Sequence, residues 1–128
     1  MSVHLDHTII PARDKRASAD FLATILGLEV SAPFGPFLPV ETTNGVKLDF
    51  IDADSERIDS RHYAFLVSEQ DFDAIFGRIE EAGIDYYADP YHEQAGEINR
   101  RDGGRGIYFA DPDGHNLELI TRPYGSGG

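Results

Sequence analysis

The chain has 128 residues, a hydrophobic fraction of 41% and a formal net charge of −12, which suits one compact domain or two small modules sharing a core. So acidic a surface repels phosphate backbones and anionic lipids, so neither nucleic acid nor membrane is an expected partner. No residue is a cysteine, which excludes disulfides, zinc–thiolate sites and thiol nucleophiles.

The opening MSVHLDHTII lacks a basic segment followed by a long apolar stretch, so no signal peptide is expected and the cytoplasm is the expected compartment. Asp6–Ile10 reads as a short strand with His7 near its start. Arg16–Leu26 follows, with Phe21, Leu22, Ile25 and Leu26 at helical spacing. Asp14 is the expected N-cap, and Gly27 suits the left-handed conformation just past the helix. Strands are expected over 37–42 and 46–51, separated by the turn signal Asn44-Gly45. Residues 54–60 form a polar linker between a first module, 1–53, and a second, 61–124.

The second module repeats the pattern. Arg61–Phe65 is strand-like and carries His62. Gln70–Ala82 places Phe72, Ile75, Phe76 and Ile79 at i, i+3, i+4 and i+7, with Ser68 as N-cap and Gly83 at the end. A Gly-rich, charged insert, 89–105, precedes strands over 106–110 and 116–121, which flank the turn Asp111-Pro112-Asp113-Gly114. Long loops of that kind often cover binding sites. Residues 125–128 are expected to be a disordered tail.

The closing strands of the two copies match, Lys47-Leu48-Asp49-Phe50-Ile51 against Asn116-Leu117-Glu118-Leu119-Ile120, with a carboxylate at the same place in each. Side chains alternate along a strand. Leu48 and Phe50, or Leu117 and Leu119, can therefore pack under a helix while Asp49 and Glu118 face the other way. His7 and His62 occupy equivalent places on the first strands. Buried carboxylates are costly unless neutralised, and a divalent cation would remove that cost while satisfying the imidazoles. Histidine plus carboxylate donors suit Zn, Ni, Co, Mn or Fe(II). His7, His62, Glu118 and Asp49 are the candidate metal ligands. A lone strand histidine or carboxylate is usually structural or solvated, so the repetition carries the inference.

Other side chains have two readings each. Tyr108 either aims its hydroxyl at a bound substrate or sits at the core edge. Arg100, Arg101 and Arg105 in the insert either bind an anionic substrate group or pair with surface acids. His92 is either an acid–base group reaching the site from the insert or a surface histidine. His115 is off the phase of Glu118 and is read as structural. His4 is off the phase of His7 and is given no role.

The segments LDHTII, FLATILGLEV, RHYAFLV and IYFADPDGHNLELI resemble the vicinal-oxygen-chelate superfamily, which includes glyoxalase I, extradiol dioxygenases, fosfomycin-resistance enzymes and bleomycin-binding proteins. The resemblance runs from Leu5 to Thr121 and implies an α+β fold. Two βαβββ modules would form a cupped mixed sheet with helices on the outer face. It implies one divalent metal per site, held by His7, His62 and Glu118, with Asp49 at the position of a fourth ligand that is glutamate in glyoxalase I. It also implies a homodimer in which His7 of one chain joins His62 and Glu118 of the other. The implied activity is that of a metal-dependent enzyme on a small substrate with neighbouring oxygens, a lyase or isomerase or a ring-cleaving dioxygenase. Glu118 or Asp49 would be the base and Tyr108 a substrate-facing group. The alternatives are a non-catalytic antibiotic-binding protein and a fosfomycin-type thiol transferase. Against the latter, Ile9 stands where those enzymes carry Thr.

Overall fold

A computed structural model describes residues 1–127. The chain divides into two compact units, Met1–Asp59 and Ser60–Gly128. The second unit thus begins within the expected linker, where the Ser60 hydroxyl donates to the Gly114 carbonyl at 2.7 Å.

The first unit runs β1 (His7–Ala12), α1 (Lys15–Leu26), β2 (Leu38–Glu41) and β3 (Lys47–Asp52). Its sheet has the order β1-β3-β2, with β3 parallel to β1 and antiparallel to β2. The Asp14 carboxylate accepts from the N–H groups of Arg16 and Ala17, satisfying donors that no helical carbonyl can reach. This cap starts α1 one residue earlier than the apolar spacing suggests. Gly27 ends it at φ 72, its N–H returned to the Ala23 carbonyl. Ile10, Ala12, Leu38, Val40, Leu48 and Phe50 are buried, as are Ala19, Leu22, Ala23 and Ile25 of α1. Each buried large side chain contributes about 1.5–3 kcal/mol.

The second unit runs β4 (His62–Leu66), α2 (Glu69–Glu81), a 3-10 turn (Arg101–Gly103), β5 (Gly106–Ala110) and β6 (Asn116–Ile120). Its sheet, β4-β6-β5, repeats the mixed pairing of the first. The Ser68 hydroxyl caps α2 by accepting from the Asp71 N–H at 3.0 Å. Phe72, Ile75 and Ile79 of α2 are buried, as are Ile107, Phe109, Leu117 and Leu119 of the sheet. Gly106 is required where β5 meets the insert. A Cβ there would lie 2.9 Å from the Asn99 side chain and 3.2 Å from the Leu119 carbonyl.

The α+β class is the expected one. Each module, however, has three extended strands where the βαβββ pattern has four. The remaining element is reduced to isolated backbone bridges, Val30 with Val40 in the first unit, and Tyr87 with Tyr108 and Asn99 with Gly106 in the second. In the first unit a reason is visible: Pro39, in the middle of β2, has no N–H to offer a neighbouring strand. Only its carbonyl is used, by the Ser31 N–H at 2.8 Å. The N–H groups of Gly125 and Gly127 donate to the Asp102 carboxylate, which ties 125–127 to the 3-10 turn; residue 128 lies outside the described residues. No helix among the described residues is long and apolar enough to cross a membrane.

Candidate active site

Strand register positions the candidate residues. In the second unit His62 pairs with Asn116, while Glu118 pairs with both Ala64 and Tyr108. Paired residues share a face, so His62, Tyr108 and Glu118 project from the same side of the sheet, opposite the apolar residues under α2. In the first unit His7 pairs with Lys47, and Asp49 with Ile9 and Pro39. The same construction therefore puts His7 and Asp49 on one face.

Glu118 is fully buried. Its Oε1 lies 3.0 Å from His62 Nε2, and His62 Nδ1 lies 3.0 Å from the Asn116 carbonyl oxygen. A carbonyl only accepts, so Nδ1 carries the ring hydrogen. Nε2 of the neutral ring then turns a lone pair toward a carboxylate oxygen, and two acceptors face each other. A cation between them, proton or metal, makes that contact favourable. Two donors at right angles around a metal, on bonds of about 2.1 Å, lie about 3.0 Å apart. A backbone carbonyl on the far nitrogen is also the usual outer partner of a metal-ligating histidine. The second unit thus fits a divalent cation with two donors.

The other oxygen, Glu118 Oε2, accepts from the Tyr124 hydroxyl. Tyr124 also meets the Tyr108 hydroxyl at 2.9 Å, and Arg101 Nη1 donates to Tyr108 at 2.9 Å. Desolvation of the hydroxyl itself, reinforced by the bond to Glu118, pushes Tyr124 well above the ordinary tyrosine pKa although the rest of the side chain is exposed.

In the first unit His7 Nδ1 lies 2.8 Å from Asp6 Oδ2, leaving Nε2 as the outward nitrogen. That hydrogen bond, with Lys47 nearby, holds the Asp6 carboxyl below its usual range. Asp49 is buried and its Oδ1 has no hydrogen-bond partner, an arrangement suited to a group that accepts a cation or a proton. Among the described residues no three His, Cys, Asp or Glu side chains gather into a cluster able to hold a metal ion. The second unit brings together His62 and Glu118, two of the four expected ligands.

A family model described as the Glyoxalase/Bleomycin resistance protein/Dioxygenase superfamily matches residues 4–119. The chain belongs to that superfamily. A solved structure named Oxidase ChaP-H2 is 67% identical, with a TM-score of 0.97 and full coverage of both chains. Oxidase ChaP-H1 is 56% identical with a TM-score of 0.93, covering 97% of this chain and 99% of that one. The Glutathione transferase FosA of Serratia marcescens is 32% identical over 121 residues, which is 90% of this chain and 78% of that protein.

Within this glyoxalase-superfamily chain the insert residues divide. Arg105 is committed to α2. It bonds Glu69 Oε1 at 2.7 Å and Asp73 Oδ1 at 2.8 Å, and its guanidinium lies 4.4 Å from the centroid of the Phe72 ring. The substrate role expected of Arg105 therefore has a competing structural one, the pairing with nearby acids. Thr121, with Arg105, holds the Glu69 carboxyl below its usual range. Arg101 reaches the site through Tyr108, whereas Arg100 is exposed at the start of the 3-10 turn. His92 stacks on Tyr87 at 4.2 Å and bonds the Asn116 side chain through Nε2 at 2.9 Å. It is tied to the residue whose carbonyl holds His62, one step back from the His62–Glu118 pair. His115 is fully buried and its Nδ1 accepts from the Arg61 N–H at 3.0 Å, in keeping with a structural role.

Two contributors escape a reading of the sequence. Tyr124 lies beyond the last strand, where no periodicity predicts its direction. Asn116 acts through its main chain, which any residue type would supply.

Proposed function

We propose that the chain is a divalent-metal-dependent oxidase acting on a small organic substrate with two neighbouring oxygens. The observation that carries the metal is the His62–Glu118 pair, two acceptors 3.0 Å apart with the far imidazole nitrogen already bonded to a carbonyl. The choice of an oxidase over a lyase is supported by 67% identity to Oxidase ChaP-H2 along the full length of both chains.

His62 and Glu118 would hold the ion, with His7 and Asp49 as the remaining proposed donors in a homodimer with two sites. Of the metals this donor set accepts, Fe(II) and Mn suit electron transfer. The ion, when bound, supplies Lewis acidity toward two substrate oxygens and a route for electrons to dioxygen. Glu118 stays in place because both of its oxygens are engaged. Asp49, with its unpartnered oxygen, is the group proposed to take up a substrate proton. Tyr108, held by Arg101, supports Glu118 through Tyr124. A diol-type substrate loses two electrons and two protons, and dioxygen takes both to give hydrogen peroxide.

The test begins with protein purified without chelator, analysed for bound metal, then stripped and reloaded with Fe(II), Mn(II), Co(II), Ni(II) or Zn(II). Dioxygen uptake and peroxide release are expected with catechols or hydroquinones on the Fe(II) or Mn(II) form. Failure to take up any metal would overturn the metal reading and favour an antibiotic-binding protein. Addition of glutathione to fosfomycin, without dioxygen uptake, would favour the transferase that 32% identity to FosA supports. Turnover of a methylglyoxal–glutathione adduct would favour the lyase.

A further inference from the structure

We propose that Tyr124, in the segment following the last strand, is a positioning residue that commits Glu118 to present Oε1 alone to the cation site. The inference rests on the reading of His62 and Glu118 as metal ligands and adds a residue to which neither the motifs nor the superfamily match extends, since that match ends at residue 119.

The argument starts from hydrogen-bond direction. Arg101 can only donate, and it donates to the Tyr108 oxygen at 2.9 Å. Carboxylate Oε2 of Glu118 can only accept, and its partner is the Tyr124 hydroxyl. If Tyr124 instead turned its hydrogen toward Tyr108, its oxygen would face the carboxylate with no proton between. The Tyr124 hydrogen therefore lies toward Glu118, and the Tyr108 hydroxyl, 2.9 Å away, donates into Tyr124. All three donors in the series Arg101, Tyr108, Tyr124 point the same way and end on Oε2.

That leaves Oε1 as the oxygen turned to His62. A carboxylate free at both oxygens can rotate between one-oxygen and two-oxygen contact with an ion. A carboxylate whose second oxygen is bonded to a phenol has one choice. The fixed parts are well placed to enforce it, because Glu118 and Tyr108 are register partners on adjacent strands and both are buried. Tyr124 is 58% exposed and is held through its neighbours. Gly125 N–H donates to Asp102 Oδ2 at 3.1 Å, and Gly127 N–H to Oδ1. Asp102 sits in the left-handed region at φ 55. The first unit provides the contrast, since Asp49 Oδ1 has no hydrogen-bond partner among the described residues.

The test is Co(II) affinity at fixed pH, by competition with a chelator, together with the visible absorption spectrum of bound Co(II), which reports coordination number. Loss of an outer partner to a metal ligand typically lowers affinity ten- to a hundred-fold. Tyr124→Phe is expected to bind Co(II) about ten-fold more weakly, with a spectrum shifted toward higher coordination as Glu118 engages both oxygens. Tyr108→Phe should give a smaller loss, because Tyr124 keeps its bond but loses the donor behind it. Asp102→Gly, which tolerates the positive φ and removes only the carboxylate that holds Gly125 and Gly127, should reproduce part of the effect by releasing the tether. Circular dichroism confirms that each variant is folded. Tyr124→Phe with wild-type affinity and an unchanged spectrum would overturn this proposal while leaving the metal reading intact. Wild-type protein that takes up no Co(II) would overturn both.

Discussion

The two modules place a histidine and a carboxylate at the same register positions, yet the two carboxylates differ in what surrounds their oxygens. In the second, Glu118 has a partner on each oxygen, His62 and Tyr124. In the first, His7 is paired with its neighbour Asp6 and Asp49 Oδ1 is buried with no hydrogen-bond partner among the described residues. One methylene separates the two carboxylates, and the second module also has an ordered segment beyond its last strand. Repetition of sequence thus repeats the scaffold, while the chemistry of each copy depends on what packs over the repeated position.

The largest expected effect is on metal uptake. Glu118→Ala and His62→Ala should each abolish it, lowering affinity more than a hundred-fold, as measured by chelator competition. His7→Ala should do the same if the first module supplies a ligand. Full metal occupancy in that variant would make the second module's donors sufficient and widen the difference between the copies.

Asp49→Asn sharpens the comparison from the other side. A buried carboxylate with an unpartnered oxygen costs more than an amide in the same place, so the metal-free variant should be more stable by about 1–3 kcal/mol in urea unfolding. Its metal affinity should fall by less than that of Glu118→Gln. A larger fall would make Asp49 the dominant ligand and reverse the ranking of the modules.

Arg101→Ala and Arg105→Ala separate site from scaffold within the second module. Arg105→Ala should lower stability by about 0.5–1 kcal/mol through loss of the Phe72 contact, with metal affinity unchanged. Arg101→Ala should weaken metal binding through Tyr108 and Tyr124 with little change in stability. Equal effects of the two on metal affinity would erase the distinction.

The smallest expected effect concerns the turn before β6. Asp111 is buried, and burial raises its carboxyl pKa above the ordinary 3.8. Protonation is then easier folded than unfolded, so its contribution to stability is full below about pH 3.8 and is lost as pH rises through the higher folded value. Asp111→Asn, which retains an oxygen for the N–H groups of Asp113 and His115, should flatten the pH dependence of Tm just above that pH. An unchanged slope would show that the raised value has no counterpart in stability.

Much of the scaffold was legible because its causes are local. The Asp14 and Ser68 caps, the glycine ending α1 and the apolar spacing of both helices act within a few residues, and each lies where the pattern implies. The alternation that turns Asp49 and Glu118 away from the helices is equally local. The reduced fourth strand of each module was not legible. In the first module it depends on which neighbour of β2 needs the N–H that Pro39 lacks, a question of pairing rather than propensity. Arg105 was left with two readings for a related reason. A cationic run in a long insert reads as an anion site, and only the packing of the insert shows that Arg105 is bonded to Glu69 and Asp73 of α2.

The sequence by itself determined the repeat, the helix and strand types and which side chains are candidate donors, because periodicity, capping and side-chain chemistry are written residue by residue. Tertiary structure decided which nitrogen of His62 faces Glu118, that the Asn116 carbonyl holds the other, and that Tyr124 closes the second carboxylate oxygen. Those contacts join residues 56, 54 and 6 positions apart, through side chains, a main-chain carbonyl and a segment outside any regular element. Their direction follows from how the strands register and where the tail is anchored, and neither is encoded in the spacing of residue types.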